Sequence, residues 1–385
     1  MKLFQKLLVA PAALGLLTPL TLSASEVNLD AISNYSNNNF EIDENLFTEE
    51  SKKDLLLAGG EGLVDSSDTI GGFSETTTAS FGVEFLVGAL DGGDTGADES
   101  TTFDYTMGIG LETSFTGEDS LSATIDIGST SPVDEDGNVV GSNLASPLFF
   151  NYNATEDALV LDGLTYTFPV GGATVMVGDN TDISALYPGA CAYTAFTDYA
   201  GNCGTGNSVG LGGNGATAAM SYAFDSGFSL AGGVSSEPDS ILSEAGSDAY
   251  GIEAAYTADS GGVAVAYSDI ESADDGDATF WGINGMYAFD FATISAGLES
   301  ENPDDGDTGT GFFVGLSFPE VGAGSLDLSI TTEGNFADGD EEYYGYEASY
   351  AYPVNDGMTI TPGIAYTETA AGDVTVFAVK TSFSF

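Results

Sequence analysis

The chain contains no histidine, no arginine and only five lysines, against 60 aspartates and glutamates in 385 residues. Without histidine there is no imidazole for general acid–base catalysis or for a histidine metal site. Without arginine there is no bidentate clamp for phosphate. Lys2 and Lys6 open an apolar leader, which leaves Lys52, Lys53 and Lys380, too few for the basic footprint that nucleic acid requires. Beyond the leader no apolar run reaches ~18 residues, so the sequence carries no helical membrane span there. What is present is a chain of formal charge −55 that is still 42% hydrophobic and 11% aromatic, which separates it from an acidic disordered tail. Glycine, at 52 residues, is about twice its usual ~7% share and supplies faces without bulk.

Residues 1–25 read as a signal peptide: two lysines, an apolar core from Leu7 to Leu22, and small residues at Ser23 and Ser25 that place the cut before Glu26. Pro11 and Pro19 interrupt the core and no basic flank follows, against a transmembrane helix. An exported chain without a helical span enters a membrane only as a closed barrel, because lipid leaves no partner for open backbone.

From residue 73 the hydrophobic pattern has period two. At 101–115, Phe103, Tyr105, Met107, Ile109, Leu111 and Phe115 share one face, opposite Asp104, Thr106, Gly108, Gly110, Glu112 and Ser114. Sixteen such segments can be laid out: 75–88, 102–115, 119–128, 158–168, 173–179, 215–224, 227–235, 248–257, 262–270, 278–289, 291–299, 310–318, 324–333, 342–352, 357–367 and 373–385. Most suit a tilted membrane strand. Tight turns (TGEDS, PVGG, DSG, PVNDG) follow the even segments, and long or acidic loops follow the odd ones. That asymmetry predicts an all-β transmembrane antiparallel barrel of about 16 strands over residues 72–385, tight turns on the periplasmic side. Fourteen or eighteen strands are the nearest alternatives, since 173–179 is short and 130–157 could hide a pair. A soluble sandwich also alternates, but its outer face needs charges of both signs.

Each descending segment ends on an outward aromatic: Phe115, Phe168, Phe224, Tyr256, Phe289, Phe318, Tyr352 and Phe385. Eight at one level make an interfacial girdle in an outer membrane. The final segment aligns Phe377, Val379, Thr381, Phe383 and Phe385 on one face, which resembles the assembly signal of outer-membrane barrels.

Two stretches resemble porins of marine cyanobacteria: the leader MKLFQKLLVAPAALGLLTP with Ile32-Ser33-Asn34-Tyr35-Ser36, and GLTYTFPVGGATVMVGDN at 163–180. The resemblance covers the leader and the barrel. It implies a passive outer-membrane channel, of a family described as iron-uptake or carbohydrate-selective, assembled as a homotrimer. That family carries a surface-layer-homology domain and a coiled coil ahead of the barrel. Here only an N-terminal periplasmic segment, 26–71, intervenes, in which Thr48, Glu49 and Glu50 are compatible with a short helix at 48–58.

A channel sets size and charge barriers and performs no chemistry, so no catalytic residue, metal site or cofactor is assigned. By parity Glu84, Asp104, Glu112, Asp126, Glu253, Asp327 and Glu347 line the pore, with Lys380 the single lumen cation. The outer loops add Asp275, Asp277, Asp305, Asp307, Asp338 and Asp340. These charges predict cation preference, with small hydrophilic solutes and cations as the passengers and lipid as the surrounding partner. The runs Asp274-Asp275-Gly276-Asp277 and Asp304-Asp305-Gly306-Asp307 lack an EF-hand frame and read as acidic turns. Residues 180–214 take the place of an inward constriction loop and hold Cys191 and Cys203, which export should pair as a disulfide. The alternative reading is a structural or adhesive barrel with an occluded lumen.

Overall fold

The computed structural model describes residues 77–385 apart from 93–100, 130–149, 151, 154, 210–214, 242–245, 272–276, 305, 333, 338 and 371. The leader at 1–25, the segment at 26–71 with its helix at 48–58, and Asp274, Asp275, Asp305 and Asp338 lie outside the described residues. The strands are β1 (Thr77–Asp91), β2 (Thr101–Thr113), β3 (Ser120–Gly128), β4 (Val160–Val170), β5 (Ala173–Thr181), β6 (Gly215–Ala223), β7 (Phe228–Ser236), β8 (Asp248–Ala258), β9 (Gly261–Glu271), β10 (Ala278–Ala288), β11 (Thr293–Pro303), β12 (Gly309–Val321), β13 (Gly324–Thr332), the two-residue β14 (Phe336–Ala337), β15 (Tyr344–Asn355), β16 (Met358–Thr367) and β17 (Val374–Ser384).

Each long strand pairs antiparallel with the next, β13 with β15 across the short β14, and β1 closes on β17 from Gly82–Ser384 to Asp91–Thr375. The result is a closed all-β barrel of sixteen long strands, without the free edge that lipid would not tolerate. β14 pairs with Gly309 and Thr310 at the start of β12. Two residues are too few to express a period, so alternation could not reveal it. β11, β12 and β15 run on to Pro303, Val321 and Asn355, past the expected ends.

The two faces of the wall differ as two solvents would require. Outside, Phe103 is 62% exposed, Leu298 58% and Trp281 57%. Inside, on the same strands, Asp104, Glu299, Gly297 and Asn284 are buried. At the short-turn end the outward aromatics meet in tilted or edge-on pairs: Phe115 with Tyr166, Tyr222 with Phe224, Phe228 with Tyr256, Tyr287 with Phe289. A second belt, not anticipated, stands at the long-loop end, where Tyr267 packs on Trp281 and Tyr346 on Tyr366. The last residue belongs to the closing seam. Phe385 stacks on Phe81 with ring centroids 5.5 Å apart and exchanges backbone hydrogen bonds with it, N–H to O at 3.1 and 2.9 Å. Phe383 meets Phe85 edge-on, Val379 is exposed outward, and Phe377 pairs opposite Ala89.

Candidate functional site: a constriction inside the barrel

The chain leaving β5 turns inward and lines the barrel wall. Asp182 starts the turn: its carboxylate accepts the Ser184 N–H at 2.5 Å and caps a single 3-10 turn, Ile183–Leu186. Ile183 is fully buried against Met176, Ala219 and Ala249 on the inner faces of β5, β6 and β8. From there the backbone is held by groups on successive strands. Gly189 N–H donates to Glu253 Oε1 of β8 (3.0 Å), Ala190 N–H to Asn284 Oδ1 of β10 (3.0 Å), and Ala192 N–H to Ser295 Oγ of β11 (3.3 Å).

The far end is held by one carboxylate. Glu347 of β15 accepts from Phe196 N–H (2.8 Å), Thr197 N–H (2.9 Å), Thr197 Oγ1 (2.7 Å) and Tyr193 OH (2.9 Å). Charge-assisted bonds in a dry site are the strong kind. Burial, then the Glu347 charge, pushes the Tyr193 hydroxyl far above the usual phenol range, so it stays a donor. The returning arm is held by Glu299 of β11, which accepts Asn207 Nδ2 (2.9 Å) and Ser208 N–H (2.8 Å). Cys191 and Cys203 form a disulfide, Cα atoms 5.9 Å apart, that ties the outgoing arm to the returning one.

Glycine on the inner wall makes room for this backbone. A Cβ at Gly297 would lie 1.9 Å from the Cys203 carbonyl, one at Gly282 2.0 Å from Ser208 Oγ, and one at Gly363 2.5 Å from the Phe196 ring. The high glycine content therefore has a specific use here, the close approach of a second layer of chain.

A second inward piece of chain, represented by Phe150, Tyr152 and Asn153, lies over β1 and β2. Tyr152 OH donates to Glu84 and Asn153 Nδ2 to Thr106 Oγ1 (3.2 Å). The two segments meet where Phe150 packs edge-on against Phe196, 5.3 Å between centroids. Leu86, Leu90, Val374 and Val376 complete an apolar cluster inside the barrel. The Lys380 ammonium sits 5.8 Å from the Phe150 ring centre and 5.3 Å from that of Phe196, a double cation–π contact.

The acids expected from parity fall into three different situations. Glu253 and Glu347 are buried under the loop from β5, and Glu84 is half-buried, accepting also from Ser382 Oγ at 2.6 Å. Asp104 and Asp327 are buried in the wall. Glu112 is exposed near the short-turn end and Asp126 is half-buried. Glu299, Asn284 and Ser295 were not anticipated. Their parity was readable, but Glu299 fell on an assumed strand end, and nothing local marks a wall residue as the seat of a distant loop. Among the described residues no three potential metal ligands converge.

No family model and no curated protein matches this sequence. Solved structures do resemble the fold. A double mutant of the Rh. blastica porin aligns with a TM-score of 0.54 at 17% identity, covering 80% of this chain and all of that one. A Vibrio cholerae outer-membrane protein, OmpT lacking its loop L8, aligns with a TM-score of 0.56 at 11% identity over 81% of this chain and all of the other. The barrel thus shares its architecture with bacterial outer-membrane porins.

Proposed function

We propose that this chain is an outer-membrane porin, a passive channel for small hydrophilic solutes and inorganic ions that prefers cations. The observation that carries the reading is the loop from β5, built into the lumen by wall carboxylates rather than left at the rim. Such a loop narrows a wide barrel without a mobile part. The inner faces of β6 and β7, against which the start of the loop packs, carry small side chains, among them Thr217, Ser221, Ser229 and Ala231. Glu112 and Asp126 add negative charge near the path, and Lys380 lies beneath two aromatic rings. Removal of residues 1–25 on export, assembly as a homotrimer, and the finer kinship with cyanobacterial porins belong to this proposal.

One observation favours the second reading, an occluded structural barrel: the apolar cluster around Phe150 and Phe196 closes part of the lumen. A planar-bilayer recording decides. Discrete conductance steps with a cation-selective reversal potential under a potassium chloride gradient, weakening as salt rises, are expected. Absence of steps from folded, inserted protein would favour the occluded barrel, and an anion-selective sign would remove the cation preference.

A further inference from the structure

Above the constriction, on its long-loop side, the returning arm of the loop and the upper ends of β11 to β13 enclose a niche of about 270 Å³. Asp198, Tyr199, Asn202 and Asn207 line it from the loop, and Glu299, Thr332 and Asn335 from the wall. The loop wall of the niche is held in shape by backbone that only a built structure keeps: Asn202 and Cys203 have φ of 51° and 53°, and Gly204 follows at 64° against Phe313.

Several of the amide nitrogens at this niche are already committed to its carboxylates. Asn207 Nδ2 and Asn335 Nδ2 both donate to Glu299 Oε1, at 2.9 and 3.2 Å, and Asn335 Nδ2 also reaches Glu301 Oε2 at 3.4 Å. The Ser208 N–H is taken by Glu299 Oε2, and Thr331 Oγ1 donates to the Phe312 carbonyl at 3.1 Å. With their nitrogens on Glu299, the two amides have oxygens left to accept. Asn335 Oδ1 lies beside Gly311, itself part of the lining, where an added Cβ would be 2.8 Å away. Asp198 adds a carboxylate, and no lysine is among the lining residues. Asp198 and Glu299 thus stand among the lining residues with no basic side chain to balance them.

We propose that this niche is a binding site for a small primary-ammonium solute, whose N–H groups Asp198 and the side-chain oxygens of Asn207 and Asn335 accept. A neutral polyol is served less well, because it brings no positive charge to the two carboxylates. A quaternary ammonium is served less well too, because it has no N–H.

As a solute site the niche rests on the channel reading, but its test does not need conduction. Purified protein in detergent micelles is titrated by calorimetry with propane-1,3-diamine, its isostere propane-1,3-diol, and tetramethylammonium. The diamine should bind measurably, and the other two weaker by about tenfold or more, the scale of a lost charge-assisted hydrogen bond. Asp198→Asn and Asn335→Ala should each weaken the diamine several-fold, while Glu118→Gln at the short-turn end leaves it unchanged. Barrel folding is checked for every variant by its heat-dependent gel mobility. Equal binding of diamine and tetramethylammonium would overturn the site in favour of diffuse attraction. So would diamine binding that survives both niche substitutions. A silent bilayer with intact diamine binding would refute the channel and leave the niche standing.

Discussion

Two connections in this barrel, the turn after β2 and the loop after β5, are stabilised in opposite ways. In the turn, Asp119 accepts from Ser114 Oγ (2.8 Å), Phe115 N–H (2.9 Å), Thr116 N–H (2.8 Å) and Thr116 Oγ1 (2.8 Å), all within five residues of itself. Its one distant partner is Tyr166, on the adjoining hairpin, at 2.7 Å. The loop after β5 has local bonds of its own, at Asp182 and in its disulfide, but its seat in the barrel is made by distant residues. Its holders, Glu253, Asn284 and Ser295, stand 64, 94 and 103 residues away, and Glu347 stands 150 or more away. A turn can form as soon as its two strands pair, whereas the loop acquires its partners only after the barrel has closed around it. Its position is a property of the whole wall.

That contrast can be broken most strongly at Glu347. Glu347→Ala leaves two backbone N–H groups and two hydroxyls without their acceptor in a dry site. The expected cost is about 3 kcal/mol, falling on the loop and not on the barrel. Hydrogen exchange should accelerate through residues 189–208 while strand amides stay protected. In a bilayer the open-channel current should become noisier and larger. Exchange that accelerates equally in β15 and β16 would mean that Glu347 supports the wall instead.

Severing the disulfide should act on the same loop with less force. A crosslink spanning 12 residues restricts the detached loop by about 3 kcal/mol in the chain-entropy account. The carboxylate anchors remain, however, so most of that need not appear while the loop stays seated. Replacing both cysteines by serine is expected to leave the barrel intact and to raise protease sensitivity between Tyr193 and Asn207 only modestly. Combined with Glu347→Ala, the two losses should exceed their sum, because each restrains what the other would release.

The smallest effect belongs to the self-contained turn. The Tyr166 hydroxyl first, then the Thr116 amide, hold the Asp119 carboxyl well below the usual carboxylate range. A depressed folded pKa gives stability that is complete above the unfolded value, about 4, and is lost as pH falls through the folded value. Asp119→Asn should therefore lower stability slightly at neutral pH and remove that share of the acid dependence. Urea unfolding in detergent, followed from neutral pH to about pH 2, would register both. Wild-type and variant curves that remain parallel would deny Asp119 this role.

Barrel closure, strand count and the direction of most side chains were legible from residue order. Lipid outside and a polar interior impose a strict period of two, and Phe103 and Asp104 obey it independently of everything distant. The same rule put Glu84, Glu253 and Glu347 on the inner face. It could not say what they touch there, since alternation reports a face and nothing about what packs on it. Asn284 and Ser295 went unnoticed for that reason, and the apolar residues Leu86, Leu90, Val374 and Val376 on the inner face had no evident purpose until Phe150 and Phe196 met them.

The sequence alone thus determined the wall: alternation writes strand, face and membrane belt residue by residue, and glycine, serine and threonine keep one face small. Only the tertiary structure decided the path through it. The loop from β5 is seated by hydrogen bonds and close approaches to residues far along the chain, and those exist only once sixteen strands have brought Glu253, Glu299, Glu347 and Gly363 to one concave surface.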